Sequence, residues 1–252
     1  MSNIRFLYTI QSDTATPTAS TAATGYPVAN LLHPFRTKTW RSTTTGSTTV
    51  TWDLSTAQSS NTVALVNHNL DAGSTIVFEG ADDSGFTTNL VTLNPVYNAG
   101  TIVLYHAALN KRYKRLRLTK STGAYIEIGR VLFGNYYEVE KNCNVQFSDA
   151  KHDLSRSDKT IGGQTHTDIR NKFRAMAFPF SFVTQAQKDN MIAMFTATGI
   201  AQDLLVSIDS DNYLNAWSFY GRIVALDAFR AQLENSSRSM FYSLQLSFEE
   251  SI

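Results

Sequence analysis

The sequence predicts a mainly β protein: a jelly-roll β-sandwich followed by an α+β unit with a sheet and one main helix. Residues 3–134 alternate apolar and polar positions, with turn signals at intervals of roughly 8–15 residues and no helical period. That texture suits a sandwich or jelly roll. Helix signals gather in one place. Thr184 is followed three residues later by Gln187, and Gly199 stands where a helix of about 184–198 would stop. Residues 135–172 are polar, with Gly162-Gly163 near the middle. The parse is two domains, 1–134 and 135–252, the second opening on an extended arm or long loop at 135–172.

"NIRFLYTI" (3–10) opens as a strand, and the Thr/Ala/Ser-rich stretch 12–24 reads as a surface loop. "ANLLHPFRTKTWRS" (29–42) interleaves cations with aromatics. "STTVTWDL" (47–54) sets Val50, Trp52 and Leu54 on one face, and "NTVALVNHNL" (61–70) is a short apolar run of sandwich-core type. "STIVFEGADDSGF" (74–86) is a strand running into an acidic turn. "TIVLYHA" (101–107), "RYKRLRLTK" (112–120) and "AYIEIGRVLFG" (124–134) complete the first domain. In the second, "FRAMAFPFSFV" (173–183) aligns Met176, Phe178, Phe180 and Phe182, and the helix offers Met191, Ile192, Met194 and Phe195 as its apolar face. "LLVSI" (204–208), "AWSFYGRIVAL" (216–226) and "RSMFYSLQLSFEE" (238–250) supply the closing strands.

At 252 residues, 42% hydrophobic and 17% charged, the chain can bury a core without metal or disulfide staples. Net charge is +1, so no global field draws it to nucleic acid or an anionic membrane. Cys143 is the single cysteine, which excludes an internal disulfide and a cysteine-rich zinc site. The start lacks the apolar core of a signal peptide, and no run approaches a membrane span. Synthesis in the cytoplasm without a signal peptide, and no membrane insertion, are the expectations.

Nothing points to catalysis. The chain has no nucleophile elbow, phosphate loop or glycine-rich dinucleotide turn. None of its five histidines, His33, His68, His106, His152 and His166, falls in a helical metal-ligand spacing. The expectation is no enzyme and no cofactor. Asp82 and Asp83, in the acidic turn, are candidate cation ligands or a plain solvated turn, and Asp209 with Asp211 mimics the start of a calcium loop whose glycine and closing Glu are missing. In "KRYKRLR" (111–117), Arg115 and Arg117 share the face opposite Leu116 and Leu118, a candidate polyanion contact without specific nucleic acid recognition.

The stretch at 29–42 supports two readings. In one, Leu31, Leu32 and Trp40 form the packing corner of the sandwich and Pro34 fixes a turn. In the other, Arg36, Trp40, Arg41 and His68 contact a sugar or partner, with Tyr97 and Tyr125 as further rings. The corner reading is favoured.

Taken in order, "YPVANLLHPFRTKTWRS", "VTWDLSTAQSSNTVALVNHNL", "IVFEGADDSGF" and "RYKRLRLTKSTGAYIEIGRVLFG" resemble the discoidin-like, galactose-binding jelly roll of coagulation-factor type C domains and many carbohydrate-binding modules. The form with "NLL…P…WRS" and a closing "IGRVLFG" looks most like that of tailed-bacteriophage tail and tail-tip proteins. The aromatic strand, capped helix and final "LSFEE" strand are similar to the tail-tube and distal-tail fold. The resemblance implies a structural virion protein of a tail tip or baseplate, located in the tail. It would assemble as a homo-oligomeric ring or trimer with other tail and baseplate proteins. The alternative is a carbohydrate-binding or receptor-binding tail protein that grips a host-surface glycan at the loop end of the jelly roll.

Overall fold

The computed structural model describes residues 2–144, 146–212, 214, 216–233 and 240–251. Val145 of the expected arm, Tyr213 of the acidic turn, and Arg238 and Ser239 of the expected last strand lie outside the described residues. The strands are β1 (Arg5–Ile10), β2 (Thr18–Ala19), β3 (Trp40–Arg41), β4 (Thr48–His68), β5 (Thr75–Ala81), β6 (Val91–Leu93), β7 (Ile102–Thr119) and β8 (Glu127–Glu138). They continue as β9 (Ser148–Asp153), β10 (Arg156–Lys159), β11 (Thr165–Asp168) and β12 (Lys172–Val183). After helix α1 (Gln185–Thr198) come β13 (Asp203–Ser207), β14 (Ser218–Leu226), β15 (Arg230–Leu233) and β16 (Met240–Glu250). The chain forms two compact units, Met1–Glu138 with Leu204–Tyr220, and Val139–Asp203 with Gly221–Ile252. The segment Leu204–Tyr220 joins the first unit because β13 pairs with β1, Arg5 opposite Ser207.

Unit 1 is an antiparallel β-sandwich with strand order β6-β5-β7-β4-β8-β1-β13. Where the sequence suggests separate strands at 47–54 and 61–70, one long β4 runs from Thr48 to His68, and β7 likewise joins 101–107 to 112–120. Register shifts between Asp53 and Gln58 and between Ser60 and Thr62 absorb the extra residues as bulges, so the ladder continues through the expected turns.

Trp40, Trp52, Phe78, Leu116, Leu118 and Phe133 belong to one buried cluster, and Leu7, Ala64, Val66, Val103, Leu132 and Leu205 to another. Val63 and Leu65 enter the first while Ala64 and Val66 enter the second, so β4 is buried on both faces there. This explains the unbroken apolar run "VALV", where a half-exposed strand would alternate. Each such side chain removed from water contributes about 1.5–3 kcal/mol. Polar groups share the burial, Lys114 among them. The Lys114 ammonium donates to Ser60 Oγ (3.1 Å) and the Leu109 carbonyl (2.6 Å), and burial, with the Lys111 charge second, pushes its pKa down to about 7.

Unit 2 is α+β, with β9-β12-β16-β14 in order, Gly221 onward on β14, and β15 paired to β16. Thr184 Oγ1 accepts the Gln187 N–H (3.1 Å) and Gly199 ends α1 at φ 53°. The Gln187 side chain does not reach back to the cap; it holds Lys141 through both backbone groups. Two expected faces differ. Phe182 is exposed because a register shift between Phe180 and Val183 turns it outward at φ 57°. Ile192 is also exposed, Met191 and Met194 alone filling the buried stripe among the expected four. Within the expected arm, β9 pairs with β12, and β10 and β11 form a separate two-stranded ribbon turning at Thr160–Gly163.

Candidate functional site

The loop end of unit 1 begins with period-two geometry. In β3, Trp40 pairs with Ile128 and Arg41 with Glu127, so consecutive side chains point to opposite faces. Trp40 goes inward, fully buried, and its indole N–H donates to the Thr21 carbonyl (3.1 Å). This corrects its place in the candidate ligand contact: a ring buried on all sides has no face to offer, and Trp40 is the packing corner.

Arg41 goes outward. Its guanidinium donates from Nε (3.2 Å) and Nη2 (2.9 Å) to Glu127 Oε2, and Thr39 Oγ1 donates to Glu127 Oε1. The Arg41 carbon Cζ lies 3.9 Å from the Tyr26 ring centre and 4.1 Å from that of Tyr125. A cation between two rings, tied to a carboxylate, fixes the rings as much as they fix it. Asn69 completes the fastening, accepting the Glu127 N–H (2.8 Å) and donating to the Tyr125 carbonyl (3.2 Å).

Beside this stack lies an open depression of about 500 Å³ lined by Gly25, Tyr26, Asn30, Thr37, Lys38 and Thr39. Asn30 donates to the Thr39 carbonyl (2.8 Å) across it. The adjoining loop is clamped from below. Asn67 donates to the Arg36 carbonyl (2.7 Å), and Gly129 lies so close to that carbonyl that any Cβ would collide with it. Arg36 is half-buried and enters the site through its backbone. Arg36 and Arg41 are thus brought to one region, the second as a structural cation.

His68 sits at the end of β4, its ring 6.2 Å from that of Tyr97, and its Nδ1 accepts the Leu70 N–H (3.3 Å). Burial lowers its pKa, and the Gly100 and Asn98 backbone only partly offsets this. Through Nδ1 the ring is folded onto its own turn and anchors the loop after β4.

The other candidates are engaged internally. Arg115 and Arg117 both pair with the buried Glu79 on the neighbouring strand (2.7 and 3.1 Å), and Arg115 also covers the Phe86 ring. The polyanion reading loses one of its two charges to that carboxylate. Asp83 accepts from Gly85, Thr87 and Thr88, and its pKa is held down to about 2, chiefly by the Thr88 N–H. Asp82 takes Asn89 and Lys111. These hydrogen bonds and the Lys111 ion pair close a turn around the two carboxylates. Asp209 likewise accepts from Ser2 and Asn212. Among the described residues, no group of three or more His, Cys, Asp or Glu is placed to hold a metal ion.

Sequence reasoning passed over Tyr26, Asn30, Asn69 and Glu127. Glu127 had one available signal, its position beside Tyr125 at a strand start. The partner Arg41 is 86 residues away, and only strand pairing joins them.

No protein-family model matches the chain, and no curated protein does. Solved structures similar to it include chitosan-binding module 1 of a chitosanase/glucanase from Paenibacillus sp. IK-5, at 21% identity and TM-score 0.42, covering 49% of this chain and 97% of that one. The family 32 carbohydrate-binding module of C. perfringens NanJ, in complex with galactose, matches at 10% identity and TM-score 0.42, covering 53% and 99%. The lectin domain of lectinolysin, complexed with Lewis b antigen, matches at 11% and TM-score 0.40, covering 48% and 92%.

Proposed function

We propose that unit 1 is a non-catalytic carbohydrate-binding module that seats a sugar in the depression beside the Tyr26–Arg41–Tyr125 stack. The observation that supports it is the pairing of an open, polar-lined hollow with an aromatic wall that is already fastened. Sugars present apolar C–H faces and hydroxyl rims; Tyr26 suits the first, and Asn30, Thr37, Lys38 and Thr39 suit the second. Because Glu127 and Asn69 hold the wall in place, little ordering remains to be done on binding. The test is calorimetry with a panel of sugars, starting from chitosan oligosaccharides, galactose and Lewis b. Saturable binding that is lost in Tyr26→Ala supports the reading, and no heat with any sugar refutes it.

A second reading is favoured by the ribbon of unit 2. Every residue of β9, β10 and β11 is exposed, and Leu154, Ile161 and Ile169 project among Arg156, Asp158, Lys159, Asp168 and Arg170. Apolar tips between charges of both signs suit a self-complementary contact with a second copy of this chain. We propose that the ribbon drives homo-oligomerisation, the property a tail-tip or baseplate subunit of a virion would need. Light scattering on the intact chain tests it: an oligomer that Ile161→Asp dissociates supports the contact, and a monomer at high concentration removes it.

A further inference from the structure

The depression is unevenly charged. Between Asp13 and Asp53 the chain carries no acidic residue, yet Arg36, Lys38 and Arg41 fall within that span. Carboxylates reaching the region from elsewhere are spoken for: Glu127 binds Arg41 and Thr39, and Asp13 binds Arg130 (2.7 Å). Lys38, exposed on the rim, has no carboxylate partner among the described residues.

Its polar neighbour is His33. Lys38 Nζ lies 3.2 Å from His33 Nε2, while the Phe35 N–H is directed at His33 Nδ1, also at 3.2 Å. A neutral imidazole has one N–H and one acceptor nitrogen, whichever tautomer it adopts. Three donors therefore converge here: the Phe35 N–H, the ring N–H and the Lys38 ammonium. They share a single acceptor. In either tautomer a donor faces a donor. Protonating the ring would remove the one acceptor, and desolvation, followed by the Lys38 and Arg130 charges, lowers the His33 pKa against that step. What the cluster lacks is an acceptor oxygen, best a charged one.

Resting on the carbohydrate-binding reading, we infer that the depression selects an acidic sugar, whose anionic substituent receives hydrogen bonds from Lys38 Nζ and His33 while its ring lies against Tyr26. A carboxylate, as in a uronic acid, and a sulfate ester share the required chemistry. The Phe35 ring, half-exposed, lies 4.8 Å from the His33 ring. A cationic sugar such as a glucosamine would meet the same donors with the wrong sign.

The test is calorimetry on the full chain in low salt with three trisaccharides: galacturonic acid, unmodified galactose and sulfated galactose. The acidic sugars should bind about tenfold to a hundredfold more tightly than the uncharged one, the range expected of charge-assisted hydrogen bonds. That advantage should shrink as salt is added. Lys38→Met should abolish it, Lys38→Arg should restore part of it, and Lys159→Met on the ribbon should leave it unchanged. The two acidic arms distinguish carboxylate from sulfate by which binds more tightly. Equal affinity for charged and uncharged sugars would overturn the inference while leaving the carbohydrate-binding reading standing. Failure of every sugar to bind would overturn both.

Discussion

The loop end of unit 1 and the ribbon of unit 2 both face solvent, and they are built on opposite plans. At the loop end the stack and the loop beside it are fastened from more than one side. Arg41 is gripped by Glu127 and two rings, Tyr125 by Asn69, and the Arg36 carbonyl by Asn67. The ribbon is held by its own ladder and by short-range contacts such as Ser155 with Arg170. Fastened exposure suits recognition of a small rigid ligand, because the geometry precedes the ligand. Unfastened exposure suits a contact that is completed by another chain.

The sharpest way to break this comparison is to remove what the loop end stands on. Trp52 is fully buried and packs edge-on against Phe133, their rings 5.3 Å apart. Trp52→Ala should cost about 3–5 kcal/mol of stability in urea denaturation. A loss near zero would mean that unit 1 does not rest on that core.

The buried Lys114 sets a pH dependence that no exposed lysine of the ribbon shares. Its folded pKa of about 7 lies below the ordinary 10.5. Between those values the unfolded chain holds the proton and the folded chain does not, so stability rises as pH rises through that window. The urea midpoint should therefore increase from about pH 7 to about pH 10, and Lys114→Met should flatten the increase. An unchanged slope in the variant would show that other groups carry it.

A smaller effect is expected at Gly129. Adding a methyl group there forces the Arg36 carbonyl away, at about 1–3 kcal/mol, and should weaken sugar binding by moving the rim as well. Gly129→Ala with full stability and unchanged affinity would mean that this clamp does not position the loop. The smallest effect belongs to the ribbon, where Ile161→Ser should change the stability of the dissociated chain by no more than about 0.5 kcal/mol, because within one chain the side chain is fully exposed.

Individual strands, the helix cap and the ribbon turn were legible because their signals are local. Alternation in "YSLQLSF", the Thr184–Gln187 cap and the Gly162-Gly163 turn each depend on neighbours a few residues away. The loop-end site was only half legible. The cations at 36–41 were visible, but the carboxylate that occupies Arg41 and the bulges that fuse β4 and β7 depend on pairing across the sheet. Trp40 and Arg41 are adjacent in sequence and opposite in role, a distinction set by which face β8 receives. Phe182 fails the pattern for the same reason, since one bulge residue reverses the alternation.

The most direct test of the central claim is an amide-resolved NMR titration of the intact chain with the tightest-binding sugar of the calorimetric panel. Saturable shifts confined to residues 25–39 and 125–127 are expected, with the ribbon at 156–168 unmoved. Shifts centred on the ribbon or elsewhere in unit 2, with the depression silent, would contradict it.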